Sequence, residues 1–142
     1  MKHKIIFICT GNSCRSQIAE GILKNEASDR FDVFSAGSHP SRLHPASVSV
    51  MQEWGIDISH NKSESINNYI DKNIDIIITV CDNANQSCPT FPNGKIKLHW
   101  SIKDPFHGWG NSQKDLHPYR LARDEIKKRI DKLLSSKDIE SL

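Results

Sequence analysis

The stretch that most constrains this chain is Ile5-Ile6-Phe7-Ile8-Cys9-Thr10-Gly11-Asn12-Ser13-Cys14-Arg15-Ser16. It opens with a continuous apolar run, the pattern of a short strand buried on both faces. A small polar loop follows, and then Gln17-Ile18-Ala19-Glu20-Gly21-Ile22-Leu23, where Ile18, Ala19, Ile22 and Leu23 recur at helical spacing. The loop therefore joins the carboxyl end of a strand to the amino end of a helix. In an open parallel sheet, that junction is where oxyanions bind.

The loop residues suit that task. Successive backbone N–H groups in such a turn converge on an anion, and the helix dipole adds positive potential at the same point. Cys9 at the mouth would have its thiolate stabilised by those groups. Arg15 offers a planar fork matched to two oxygens of a tetrahedral oxyanion, and the Ser16 hydroxyl can reach the sulfur. Cys9 is thus the candidate nucleophile, and Thr10, Gly11, Asn12, Ser13, Cys14, Arg15 and Ser16 are the candidate substrate-binding residues. A cysteine that ends an apolar strand is ordinarily a small buried hydrophobe. Cys-x5-Arg-Ser at a strand-to-helix junction is far more specific than that. Cys14, facing away if Cys9 faces in, reads as a packing residue or a backbone donor. No Gly-Lys-Ser/Thr follows, which excludes a nucleotide P-loop.

The chain of 142 residues is long enough for one well-cored domain spanning 1–142. A net charge of +2 argues for neither nucleic acid nor a membrane surface as partner. Ile5–Ile8 is too short for a signal peptide or a membrane span, so a cytoplasmic protein is expected. Four cysteines in a reducing compartment suggest catalysis, redox work or metal before structural disulfides. No exposed apolar stripe demands a partner, so a monomer is expected.

Further along, Phe31–Gly37 reads as a second strand, and a helix is expected from Pro45 to Trp54, stopped by Gly55. A brief helix is expected within Ser63–Asn73, a third strand over Ile74–Val80 and a fourth over Ile96–Trp100. Cys81 to Gly94 reads as a loop, and the last helix as Pro118 to Leu134. Met51 and Trp54 are assigned to the core, and the histidines to surface or loop roles. Strands alternating with helices predict an α/β fold, a single-domain open parallel four-stranded sheet with helices on both faces. That topology gathers Cys9, Cys81, Cys88 and Asp104 at one end of the sheet.

Cys81 and Cys88 are separated by six small or polar residues. A zinc site lacks its usual tight pair, and two unrelated buried thiols are the plain alternative. A thiol relay is the sharper one: a thiol near Cys9 attacks it when it is covalently loaded, and another carries the disulfide outward. Asp104, before Pro105, is either turn chemistry or a general acid for an oxygen leaving group.

Ile8–Ser16, Ser35-Ala36-Gly37 and Gly55-Ile56-Asp57-Ile58-Ser59 resemble the low-molecular-weight tyrosine phosphatase superfamily, a flavodoxin-like fold. Cys81-x6-Cys88-Pro89, His99-Trp100 and Asp104-Pro105 resemble its thioredoxin-coupled arsenate reductase branch. The resemblance implies that Cys9 attacks arsenate held by the loop amides and Arg15, while Asp104 protonates the departing oxygen. It further implies a Cys9–Cys81 disulfide that becomes Cys81–Cys88, to be reduced by thioredoxin; a glutaredoxin route would need glutathione. No tightly bound cofactor is implied, though some members bind potassium beside the loop, at positions matching Asn12, Glu20, Ser35 and Glu64. Glu64 stands where that pattern has aspartate. Two other functions compete: a phosphomonoesterase acting on phosphotyrosine, which uses Cys9, Arg15 and Asp104 but neither Cys81 nor Cys88, and a cysteine phosphocarrier or binding module, against which Arg15, a general acid and the cysteine pair argue.

Overall fold

The computed structural model describes residues 2–140. Four strands, β1 (His3–Cys9), β2 (Phe31–Gly37), β3 (Ile76–Thr79) and β4 (Ile96–His99), form one sheet in the order β2-β1-β3-β4. Every pairing is parallel, with Phe7 opposite both Ser35 and Ile78. The helices are α1 (Arg15–Ala27), α2 (Pro45–Gln52), α3 (Asp82–Ser87), α4 (Gln113–Leu134) and α5 (Lys137–Glu140), with a 3-10 turn at Ile66–Asn68.

β1 is central, and Ile5, Ile6, Phe7 and Ile8 are all fully buried, as an apolar run without alternation requires. α1, α2 and α4 pack on one another. Strand alternation puts Ser35 toward α1, where it meets Glu20, and Phe34 toward the opposite face. There the Phe34 ring packs on Tyr69, just beyond the 3-10 turn, at a centroid distance of 5.4 Å. The chain leaves β1 toward β2 and returns to β3 on β1's other side, so the carboxyl end of β1 lies at the topological switch point.

Three local expectations change. α4 begins at Gln113, with Pro118 inside it, because Ser112 and Asp115 form a capping box that starts the helix earlier. The segment after Cys81 is not all loop: α3 forms there, seated by the fully buried Ala84. Trp54 lies beyond the end of α2, is 38% exposed, and carries the Arg123 guanidinium 4.2 Å above its ring.

Candidate active site

The loop from Cys9 to Arg15 is held by an unusually committed residue, Asn12. It is fully buried and adopts φ +49°, a left-handed conformation that asparagine tolerates better than most side chains. Its Oδ1 accepts from Gln17 Nε2 at 3.1 Å and from the Glu64 amide at 2.9 Å. Its Nδ2 donates to Ser16 Oγ at 2.8 Å and to Ser35 Oγ at 3.0 Å. Gly37 lets the loop approach β2 this closely: a Cβ there would lie 2.5 Å from the Thr10 carbonyl and 2.9 Å from the Asn12 amide.

That bracing fixes the surroundings of Cys9, the candidate nucleophile. Cys9 Sγ accepts from the Asn12 amide at 3.1 Å and lies 2.8 Å from Ser16 Oγ. Ser16 Oγ, which accepts from Asn12 Nδ2, keeps its own hydrogen to offer within reach of the sulfur. The Asn12 amide and the Ser16 hydroxyl thus both reach Sγ. Arg15 Nη1 donates to the Ile102 carbonyl at 2.8 Å, and Nη2 lies 3.7 Å from Asp104 Oδ2. The guanidinium is therefore tied to the chain that follows β4.

A cavity of about 570 Å³ opens above this floor. Cys9, Thr10, Gly11, Ser13, Cys14 and Arg15 line it, joined by Cys81 and Asp104. Thr10 Oγ1 is 3.3 Å from Cys81 Sγ, so this cysteine faces the loop that follows β1. Ser16 and Asn12 lie behind the lining, acting on the sulfur and the loop. Asp104 keeps an exposed carboxylate whose Oδ1 caps the Phe106 amide at 3.0 Å. Burial raises the Cys14 thiol above its ordinary range, offset in part by hydrogen bonds to Ser13 and Ser47. Cys14 is a neutral packing thiol.

Cys88 departs from the expected convergence. It follows α3, is half-buried, and lines a separate groove of about 250 Å³ with Ile77, Phe91 and Ile96. Burial raises its thiol, with a smaller opposing pull from Lys97. Seven helical steps of roughly 1.5 Å each put about 10 Å between the Cα atoms of Cys81 and Cys88, beyond the roughly 7 Å a disulfide spans. α3 keeps the pair apart.

The residues matched to a potassium site do come together, but their oxygens are occupied. Ser35 Oγ donates to Glu20 Oε1 at 2.6 Å, and the Lys24 ammonium donates to Glu20 Oε2 at 2.8 Å. Asn12 Oδ1 carries two N–H donors, and the Glu64 carboxylate takes the Tyr69 hydroxyl. At this cluster a protein ammonium, that of Lys24, pairs with Glu20. Among the described residues, no group of three or more His, Cys, Asp or Glu side chains comes together to hold a metal ion. Nor is any helix long and apolar enough to cross a membrane.

Residues 4–141 match the model of the family described as low molecular weight phosphotyrosine protein phosphatase. The chain belongs to that family. Within it, the chain is 42% identical over 129 residues to an arsenate reductase of Halalkalibacterium halodurans, covering 91% of this chain and 93% of the relative. It is 44% identical over 130 residues to arsenate reductase 1 of Staphylococcus epidermidis, covering 92% and 94%. A solved arsenate reductase in the phosphate binding state superposes with TM-score 0.80 at 36% identity, covering 95% of this chain and 98% of that one. The thioredoxin-dependent arsenate reductase of Corynebacterium glutamicum gives TM-score 0.74 at 28% identity, over 98% of this chain and 62% of that one.

Two groups around this family site escaped the sequence analysis. Ser47 Oγ and the His44 amide both donate to the Ser13 carbonyl, at 3.2 and 3.1 Å. Trp109 and Phe106 form the outer wall of the cavity. Glycines on either side of Trp109 were the only local signal for it.

Proposed function

We propose that this protein is an arsenate reductase that works by an intramolecular thiol relay. The observation that carries this is the placement of Cys81 in the same cavity as Cys9, with Thr10 bridging toward it. A phosphomonoesterase needs no second thiol there. The curated relatives named as arsenate reductases support the same choice.

Arsenate sits against the loop amides and the Arg15 fork. Cys9 Sγ bonds to arsenic as one As–O bond breaks, and the oxygen leaves as water with a proton from Asp104. Arsenic remains As(V) in this adduct. Cys81 then attacks Cys9 Sγ; the S–As bond breaks with its electron pair on arsenic, which leaves as arsenite, and the two thiols are oxidised to a disulfide. Cys88 attacks Cys81 Sγ and releases the Cys9 thiolate. This last step requires α3 to unwind, which carries the Cys81–Cys88 disulfide outward for reduction by thioredoxin. The Corynebacterium glutamicum neighbour, named as thioredoxin-dependent, favours that donor over glutaredoxin. A cytoplasmic monomer suits a catalyst that must meet a diffusible reductase.

The test is arsenate turnover with thioredoxin, thioredoxin reductase and NADPH. C9S and C81S are expected to release no arsenite. C88S is expected to release one arsenite per enzyme and stop, trapped with its Cys9–Cys81 disulfide, while C14S turns over. Brisk aryl phosphate hydrolysis with no arsenate turnover in the wild type would move the assignment to a phosphatase.

A further inference from the structure

His44 is fully buried, although histidine on a loop before a helix is ordinarily wet. Its surroundings define its protonation state. Nδ1 accepts from the Ala46 amide at 2.9 Å, which makes His44 the cap of α2. An acceptor at Nδ1 leaves the ring hydrogen on Nε2. Nε2 lies 2.7 Å from the Gly108 carbonyl and donates to it. Gly108 stands at φ +122°, a conformation that glycine adopts at little cost.

The ring is also the centre of an aromatic stack. Trp109 lies parallel to it at 4.8 Å and 10°, Phe106 meets it edge-on at 5.8 Å, and Tyr119 of α4 backs it at 4.9 Å. Arg42 covers the outer side of Trp109 at 4.0 Å. Since the His44 amide also binds the Ser13 carbonyl, one residue joins the oxyanion loop, α2, α4 and the segment that carries Asp104.

We propose that His44 is the positioning residue for Asp104, docking residues 104–110 against the oxyanion loop so that the carboxyl group faces the oxygen that departs from arsenic. The proposal rests on Asp104 as the general acid. Asp104 itself is exposed and its contact to Arg15 is long, so its direction depends on how the following turn is anchored. A second proton on His44 would face the Ala46 N–H and break the cap. Burial opposes that proton most, the Gly108 bond pulls the other way, and His107 and Arg42 oppose it further against a small pull from Asp115. The ring therefore stays neutral under working conditions.

The experiment is a double-mutant cycle on arsenate turnover. His44→Asn keeps a capping oxygen for Ala46 but is too short for Gly108 and cannot stack. Trp109→Leu removes the stack from the other side and leaves the cap untouched. D104N is expected to lower kcat about 100-fold. H44N is expected to lower kcat about tenfold with KM nearly unchanged, and W109L by less. In the D104N background neither change is expected to lower kcat further. Wild-type kcat in H44N beside an impaired D104N overturns the role of His44, as do losses that add to that of D104N. Wild-type kcat in D104N overturns the acid assignment and the proposal with it.

Discussion

Residues 9–16 and 81–88 are built on one plan and finished in opposite ways. Each follows a parallel strand, starts with a cysteine at the same sheet edge, and leads into a helix. In the first, Asn12 alone makes four side-chain hydrogen bonds, Gly37 admits close contact with β2, and α1 runs thirteen residues. In the second, α3 has only six residues, below the length at which a helix is stable by itself. Its first turn is pinned by Asp82 Oδ1 to His99 Nε2 at 2.7 Å, and His99 Nδ1 in turn meets Thr79 Oγ1 at 2.8 Å. In the proposed relay, one segment keeps its geometry through every cycle and the other gives its geometry up once per cycle.

The contrast breaks most directly at Asn12. N12A leaves the Glu64 amide without its acceptor, removes the donor to Ser16 and Ser35, and puts alanine at a positive φ, so a loss of about 3 kcal/mol is expected in urea unfolding. Turnover is expected to fall about 100-fold, because the loop no longer holds its form. A matched pair of glycines sharpens the contrast. Q86G in α3 and N25G in α1, both at exposed positions, each weaken their helix by about 1 kcal/mol. Q86G is expected to speed formation of the Cys81–Cys88 disulfide about fivefold in single-turnover trapping, whereas N25G leaves that rate alone. Equal rates would mean that α3 is already open before the second exchange.

The brace between α2 and α4 holds neither cysteine and serves as the control for both. Arg120, and after it Arg123, hold the Glu53 carboxyl down to about 2. A carboxylate depressed in the folded state adds stability above its ordinary pKa and loses it as pH falls through the folded value. The stability gap between wild type and E53Q is therefore expected to be full at pH 6 and to close between about pH 4.5 and pH 2 in urea titrations. The smallest effect is expected at Lys24. Wild-type melting is expected to be the same in potassium and sodium chloride, while K24M gains a rise of a few degrees from potassium as an ion replaces the lost ammonium.

The oxyanion loop was legible because its residues are contiguous and the strand, the turn and the helix each have a local signature. β2 was legible over its whole length for the same reason. The start of α4 was misplaced because Pro118 carries a strong first-turn preference, while the Ser112–Asp115 box that starts the helix is a quieter signal. The position of Cys88 could not be read. Spacing alone brings it to the right sheet edge, but the turn of α3 decides which side of that edge it faces, and an Asn- and Ser-rich stretch does not announce a helix. His44 was hidden for a deeper reason: its partners lie 64 and 75 residues away, at Gly108 and Tyr119, so no window of sequence contains them.

The central place of β1 sets an order of events in time. Its amides are bonded to neighbours on both sides, so the deuterium uptake of Phe7 and Ile8 is governed by opening of the entire sheet. Residues 82–87 form a six-residue helix outside the sheet, and their amides are expected to take up label sooner. A chain pulsed with heavy water during turnover would thus be marked around its second and third thiols, while the backbone behind the first stays unlabelled. The proposed relay can spend part of the structure in each round of chemistry because its nucleophile hangs from the part expected to open last.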